Sequence, residues 1–191
     1  KHGYAKVSLP GGCAWGPRPV DLHLKGMEAM GINISLDKGY VIAKADKTLP
    51  RASYTLNPSS VGATVNLLLA SVLRSEEFTI ENAAKEPDVV QLCNFLVDMG
   101  ANISGIGTST LTIRKVEKLN GVKIHNDPDR IELGTYMIAG AMHPDSDILL
   151  TGCNPDQLGN FSDLLRQTGT AVDIDGTEIR IKATDNLKPI S

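Results

Sequence analysis

LKGMEAMGINISLDKGYVIAKA, residues 24–45, returns twice along the chain, as LVDMGANISGIGTSTLTIRKV (96–116) and LRQTGTAVDIDGTEIRIKA (165–183). The matching glycines are Gly31, Gly100 and Gly169, two steps of 69 residues. All three copies read alike. An amphipathic helix ends on a glycine, the residue that accepts a left-handed helix stop. A short alternating strand follows, then a turn, then a second alternating strand.

The residues upstream repeat as well. SVGATVNLLLASVL (60–73) and IELGTYMIAGAM (131–142) are apolar helices rich in small residues. Each leads into a strand, EEFTIENA (76–83) or SDILLTGC (146–153), and each follows a strand candidate that runs into proline, ASYTLNP (52–58) or GVKIHNDP (121–128). The unit is therefore β-α-β-α-β-β, over about 52–114 and 122–182, and residues 5–45 supply the last four elements of an earlier unit. This makes the chain α/β. The first helix of each unit is apolar nearly all round, which predicts burial on most sides. The second carries Asp88, Gln91, Asn94 and Asp98 on one face and suits an outer position. One unit cannot close a core alone and needs neighbours. The chain opens partway through a unit, so it reads as a piece of a longer protein. The bare apolar surface of an unfinished repeat favours self-association.

Composition narrows the partners. Among 191 residues, 19 basic and 22 acidic side chains give a net charge of −3, which offers no electrostatic basis for binding nucleic acid or an anionic membrane. No run approaches 18 apolar residues, and KHGYAKVSLPGG at the start has no signal-peptide core. Three cysteines, Cys13, Cys93 and Cys153, form no CxxC pair and no zinc spacing, so no metal is expected and a reducing cytoplasm is the simplest setting. Cys93 in VVQLCNFLVDMG and Cys153 at a strand end read as inert packing residues.

Cys13 is different. It lies among glycines and prolines in SLPGGCAWGPRPVDLH (8–23), five residues before Arg18. Nearby positive charge raises the thiolate population, so the pattern fits a nucleophile or proton donor beside an anion. A surface cysteine with no role fits it equally well. Pro19 and Asp21 suit a helix start, whose free N–H groups can meet a polar ligand, while His23 reads as helix surface. NPSSVGAT (57–64) is a second helix start, with Ser59, Ser60 and Gly62 leaving backbone N–H groups accessible. GIGTST (105–110) joins two strands and lacks the third glycine of a dinucleotide fingerprint, so it reads as a β-turn. In DPDRIELG (127–134), Asp129, Arg130 and Glu132 fit either a hinge of ion pairs or acidic capping of a helix.

Taken together, SLPGGCAWGPRPVDLHLKG, the SVGAT helix start, ENAAKEPDVVQLCNFL and DPDRIELGT resemble the bacterial UDP-N-acetylglucosamine 1-carboxyvinyltransferases, the enolpyruvyl transferases of peptidoglycan synthesis. The resemblance runs over essentially the whole chain, in the family's motif order. It implies an inside-out α/β barrel fold, with two globules of three β-α-β-α-β-β units, incomplete here. On that pattern residues 1–128 belong to the cysteine-loop globule and residues 129–191 form one unit of the second globule. The implied reaction moves the enolpyruvyl group of phosphoenolpyruvate to the 3-hydroxyl of UDP-N-acetylglucosamine and releases phosphate, without a cofactor, in the cytoplasm.

The resemblance also implies roles. Cys13 matches the loop cysteine that adds to phosphoenolpyruvate, donates a proton and is alkylated by fosfomycin. Arg18 matches an arginine at substrate phosphate, and Arg18, Pro19, Val20, Asp21 and Leu22 match the run that holds the UDP part. Ser59, Ser60, Val61 and Gly62 fall on the diphosphate contact. Pro58 replaces a lysine found in other members, and Trp15 is bulkier than the expected aliphatic residue. The family's amino-terminal Lys-Asn pair, its later catalytic aspartate and its carboxy-terminal arginines have no counterpart in the 191 residues, so this chain alone is expected to show no turnover. The 5-enolpyruvylshikimate 3-phosphate synthases share the repeat but lack the GGC loop. A non-catalytic nucleotide-binding fragment is the alternative of a different class.

Overall fold

The computed structural model describes residues 2–11 and 19–190. Cys13, Trp15 and Arg18 lie outside the described residues. The chain divides into two compact units, Lys1–Ile124 and His125–Ser191.

The first unit begins with β1 (Tyr4–Ser8), α1 (Asp21–Ala29), β2 (Asn33–Asp37) and β3 (Tyr40–Lys44). The three strands form an antiparallel sheet in the order β1-β3-β2. Lys38 and Gly39 connect β2 to β3 with φ of 48° and 81°, the left-handed pair that a two-residue hairpin turn requires. The chain continues through β4 (Ala52–Thr55), α2 (Val61–Ser71), β5 (Glu77–Glu81), α3 (Pro87–Asp98), β6 (Asn102–Ser104) and β7 (Thr110–Arg114). These strands form a sheet in the order β4-β5-β7-β6, in which β4 and β5 run parallel and α2 is their crossover. The turn between β6 and β7 places Gly105 and Gly107 at φ of 81° and 78°, and Thr108 Oγ1 donates to the Gly105 carbonyl at 2.8 Å. GIGTST is a β-turn, as its position between two strands predicts.

Apolar residues from the four-stranded sheet and all three helices form one core, with Met30, Leu49, Leu56, Leu67, Leu68, Phe78, Ile80 and Ile113 buried. Alternation decides which strand residues enter it: Phe78 and Ile80 point inward, while Glu77 meets Arg114 across the strand pair at 2.6 Å. On α3, Val89, Cys93 and Leu96 face the core, and Asp88, Asn94 and Asp98 are exposed, matching the amphipathic reading.

The second unit holds α4 (Arg130–Met142), β8 (Asp147–Leu150), a 3-10 turn at Pro155–Leu158, α5 (Phe161–Gln167), β9 (Ala171–Asp175) and β10 (Glu178–Lys182). Its strands are antiparallel in the order β8-β10-β9. Arg180 on β10 makes a two-pronged contact with Asp147 on β8, Nε to Oδ1 at 2.7 Å and Nη2 to Oδ2 at 2.9 Å. Those hydrogen bonds hold the Asp147 carboxyl below the ordinary carboxylate range. A separate core gathers Leu133, Met137, Ala141, Leu165, Val172, Ile179 and Ile181.

Two expectations need correction. GVKIHNDP forms no strand: among the described residues β8 pairs only with β10, and Val122 and Ile124 are 38% and 44% exposed. A strand without a ladder partner leaves its backbone groups to water, and the segment stays irregular. The first helices are also less buried than their composition predicts. Leu69 on α2 is exposed, as are Ile131, Tyr136, Ile138 and Met142 on α4, so each helix buries one stripe and bares the other. Among the described residues no barrel is closed.

Candidate functional site

Two helix starts carry the described candidate residues. At the first, Val20 is the N-cap with φ of −114° and makes no side-chain capping bond, so α1 begins at Asp21 and Pro19 stands just before the cap rather than inside the helix. Asp21 is exposed in the first turn, with Lys25 Nζ 3.6 Å away one turn on. Leu22 packs against the core and anchors this end of α1.

At the second, Ser60 caps α2 from an extended conformation, and its Oγ accepts from the Ala63 N–H at 3.3 Å. Thr64 Oγ1 donates to the Ser60 carbonyl at 2.8 Å and accepts from the buried Ala84 N–H at 3.0 Å, which ties the helix start to the segment after β5. Ser59, Val61 and Gly62 are exposed beside the cap, and Pro58 follows a cis peptide bond. The N–H groups of Val61 and Gly62 have no acceptor inside the helix, which is the general condition of a helix's first turn.

The fold brings these starts together. Gly26 of α1 lies against Leu67 of α2, so close that a Cβ on Gly26 would stand 2.5 Å from Leu67 Cδ1. Beside this contact, Asn66 Nδ2 lies 2.7 Å from His23 Nδ1, one turn before Gly26 on α1. The His23 ring covers Gly62: a Cβ there would meet Cε1 at 3.4 Å and Nε2 at 3.6 Å. Residues 19–22 and 59–62, far apart in the chain, thus flank one helix junction. Burial lowers the His23 pKa below the ordinary histidine value, and the Asp21 carboxylate works against that shift.

The sequence pattern places His23 on the helix surface and does not single out Asn66. The available signal was the four-residue spacing of Gly62 and Asn66, which stacks an amide above a bare position on one helix face.

Elsewhere, Asp129 fits the acidic-capping reading of DPDRIELG. Its Oδ1 accepts from the Ile131 and Glu132 N–H groups at 2.7 and 3.2 Å, so it caps α4. Cys93 and Cys153 are buried; burial pushes the Cys93 thiol up to about 11 and raises that of Cys153. A cleft of about 520 Å³ in the second unit is lined by His125, Asp127, Cys153, Asn154 and Asp156, and none of the described candidate residues is among its lining. Among the described residues no three His, Cys, Asp or Glu side chains group to hold a metal ion, and no helix is long and apolar enough to cross a membrane.

Comparison with known proteins covers the whole chain. The chain is 45% identical over 189 residues to the UDP-N-acetylglucosamine 1-carboxyvinyltransferase of Koribacter versatilis, which covers 99% of this chain and 43% of that protein. It is 47% identical over 188 residues to the enzyme of the same name from Desulfosudis oleivorans, covering 98% of this chain and 45% of that one. The chain therefore spans less than half the length of these relatives. Among solved structures, the enolpyruvyl transferase NikO from Streptomyces tendae matches 97% of the chain and 45% of its own, with a TM-score of 0.81 at 25% identity. The family model described as EPSP synthase (3-phosphoshikimate 1-carboxyvinyltransferase) matches residues 1–191. With that match over every residue and a fold shared with NikO, the chain belongs to the EPSP synthase family of enolpyruvyl transferases.

Proposed function

We propose that this chain is part of a UDP-N-acetylglucosamine 1-carboxyvinyltransferase. One observation carries the reading: near-complete coverage at 45–47% identity by relatives of that name. The junction of α1 and α2 supports it, because it gathers Pro19, Val20, Asp21, Leu22, Ser59, Ser60, Val61 and Gly62 around unpaired backbone donors. That arrangement suits the uridine and diphosphate of a sugar nucleotide.

In the proposed reaction the sugar 3-hydroxyl adds to C2 of phosphoenolpyruvate while C3 gains a proton, giving a tetrahedral adduct. The new methyl group then loses a proton and phosphate departs, which restores the double bond in the enolpyruvyl ether. Cys13 is the proposed proton donor and Arg18 the proposed phosphate contact. Residues 1–128 are assigned to the globule that carries the cysteine loop and residues 129–191 to a unit of the second globule. A cytoplasmic setting follows from soluble, cytosolic substrates, and the exposed apolar stripe of α4 suits self-association of the isolated chain.

The test is phosphate release from phosphoenolpyruvate and UDP-N-acetylglucosamine by the full-length protein, with mass spectrometry after fosfomycin treatment. Turnover by the untreated protein, and a fosfomycin adduct on Cys13 after treatment, are expected. Turnover with shikimate 3-phosphate in place of the sugar nucleotide would overturn the substrate assignment. The 191-residue chain alone should release no phosphate above background.

A further inference from the structure

We infer that Asn120 is a self-modifying site in the connector between the two compact units. There the backbone nitrogen of Gly121 displaces the Asn120 side-chain amide as ammonia, and water completes the conversion to aspartate and isoaspartate. The chemistry is independent of the proposed transfer reaction. Asn120 is the one asparagine of the 191 residues that precedes a glycine. It stands in the irregular segment between β7 and α4, close to the boundary at Ile124. That segment is tied down as far as Asn120 and released beyond it. Lys115 and Val116 donate to the Ser75 and Val72 carbonyls, and the Asn120 N–H donates to the Met99 carbonyl at 2.8 Å. Among the described residues, no backbone group from Gly121 to Pro128 enters a backbone hydrogen bond, and residues 120–126 are all exposed.

This freedom meets the demands of the reaction. The Asn120 side chain has no hydrogen-bond or ionic partner among the described residues, so its carbonyl carbon is open to attack. Gly121 has no side chain to shield its nitrogen, and a Cβ there would find nothing within 4 Å. Hydroxide takes the Gly121 N–H proton and the nitrogen bonds Asn120 Cγ. The Cγ–Nδ2 bond breaks, and the amide nitrogen gains a proton from water and leaves as ammonia. Water then opens the five-membered imide at either carbonyl. One opening restores the ordinary backbone with an aspartate side chain; the other routes the chain through the former side-chain carbon. Both products add a negative charge, and the second lengthens the connector by one methylene. Asp175 is the one aspartate that precedes a glycine, and it is held in the β9–β10 hairpin, paired with Glu178. It lacks the freedom that ring closure needs.

The test incubates the full-length protein at pH 8.5 and at pH 6 and follows the peptide containing residue 120 by mass spectrometry. Methylation by a protein-isoaspartate methyltransferase reports the isoaspartyl product. The amide should be lost faster at pH 8.5, because the nitrogen must give up its proton. The native rate should lie within about threefold of the rate for the chain unfolded in guanidinium chloride, since no local structure has to open first. Gly121→Ala, which the empty space there accommodates, should slow the loss about tenfold without moving the unfolding midpoint. Asn120→Gln should abolish methylation of that peptide. Native loss far slower than in the unfolded chain overturns the inference. So does a folded Gly121→Ala protein that loses the amide at the parental rate, or isoaspartate that forms first at Asp175.

Discussion

Gly26 and Leu67 meet with no room for a methyl group between them. A Cβ on Gly26 would lie 2.5 Å from Leu67 Cδ1 and 2.7 Å from Cδ2, and Leu67 is fully buried, so it has nowhere to turn. The contact sets how closely α1 and α2 approach, and with it the spacing of both helix starts.

Gly26→Ala should therefore destabilise the fold by about 1–3 kcal/mol, the range for overpacking a close-packed core. Chemical denaturation of the parent and variant measures the difference. A companion Leu67→Ala change should recover part of the loss in the double variant by making space. A Gly26→Ala protein as stable as the parent would show that the helices separate freely.

Cys93 and Cys153 are both buried. With the Cys93 thiol pushed up to about 11 and Cys153 raised by burial, neither forms appreciable thiolate at pH 7.5. Iodoacetamide on the native protein, followed by peptide mass spectrometry, should label Cys13 well before either of them. Labelling of Cys93 at the rate of a free thiol would contradict its burial.

His23 makes stability depend on pH with a defined sign. Its folded pKa is lowered by burial, with Asp21 opposing, so the unfolded chain binds the proton more tightly than the native one. The stabilisation is fully present above the ordinary histidine value and declines as pH falls through and below it. Denaturation midpoints between pH 8 and pH 5 should fall more steeply for the parent than for His23→Gln. Parallel curves for the two proteins would remove His23 as the cause.

Capping of α4 rests on one carboxylate. Asp129→Ala leaves the Ile131 and Glu132 N–H groups without their acceptor and should cost about 1 kcal/mol, while Asp129→Asn should cost much less. Urea titration of the three proteins gives the ranking, and equal losses for Ala and Asn would point away from capping.

The parts of the fold that were legible in the sequence are those governed by nearby residues. The glycine stops, the hairpin at Lys38–Gly39, the GIGTST turn and the amphipathic α3 all follow from residues within a few positions of one another. The strand expected in GVKIHNDP (121–128) was misread because a strand is completed by a neighbour, and the sequence pattern of Val122 and Ile124 does not say whether one is present. The burial of α2 and α4 was overstated for the same reason: apolar composition reports what a helix can cover, not what stands against it. Of the candidate site, the helix starts were readable from Ser60 and Asp21. The His23–Asn66 bond joins side chains from different helices, and only the packing of Gly26 on Leu67 creates it.

The glycine stops show what the repeats hold in common. Gly31, Gly100 and Gly169 share almost one backbone angle, with φ of 95°, 102° and 94°. Their surroundings differ: a Cβ would first meet Pro50 Cδ at Gly31, Asn120 Nδ2 at Gly100 and the Asn186 carbonyl at Gly169. Side-chain packing differs at all three while the bend is the same, because an L-residue with a side chain is strained at that angle wherever it sits. The repeat is thus held in common by the backbone at its stops, and the side chains packed around each stop are free to differ.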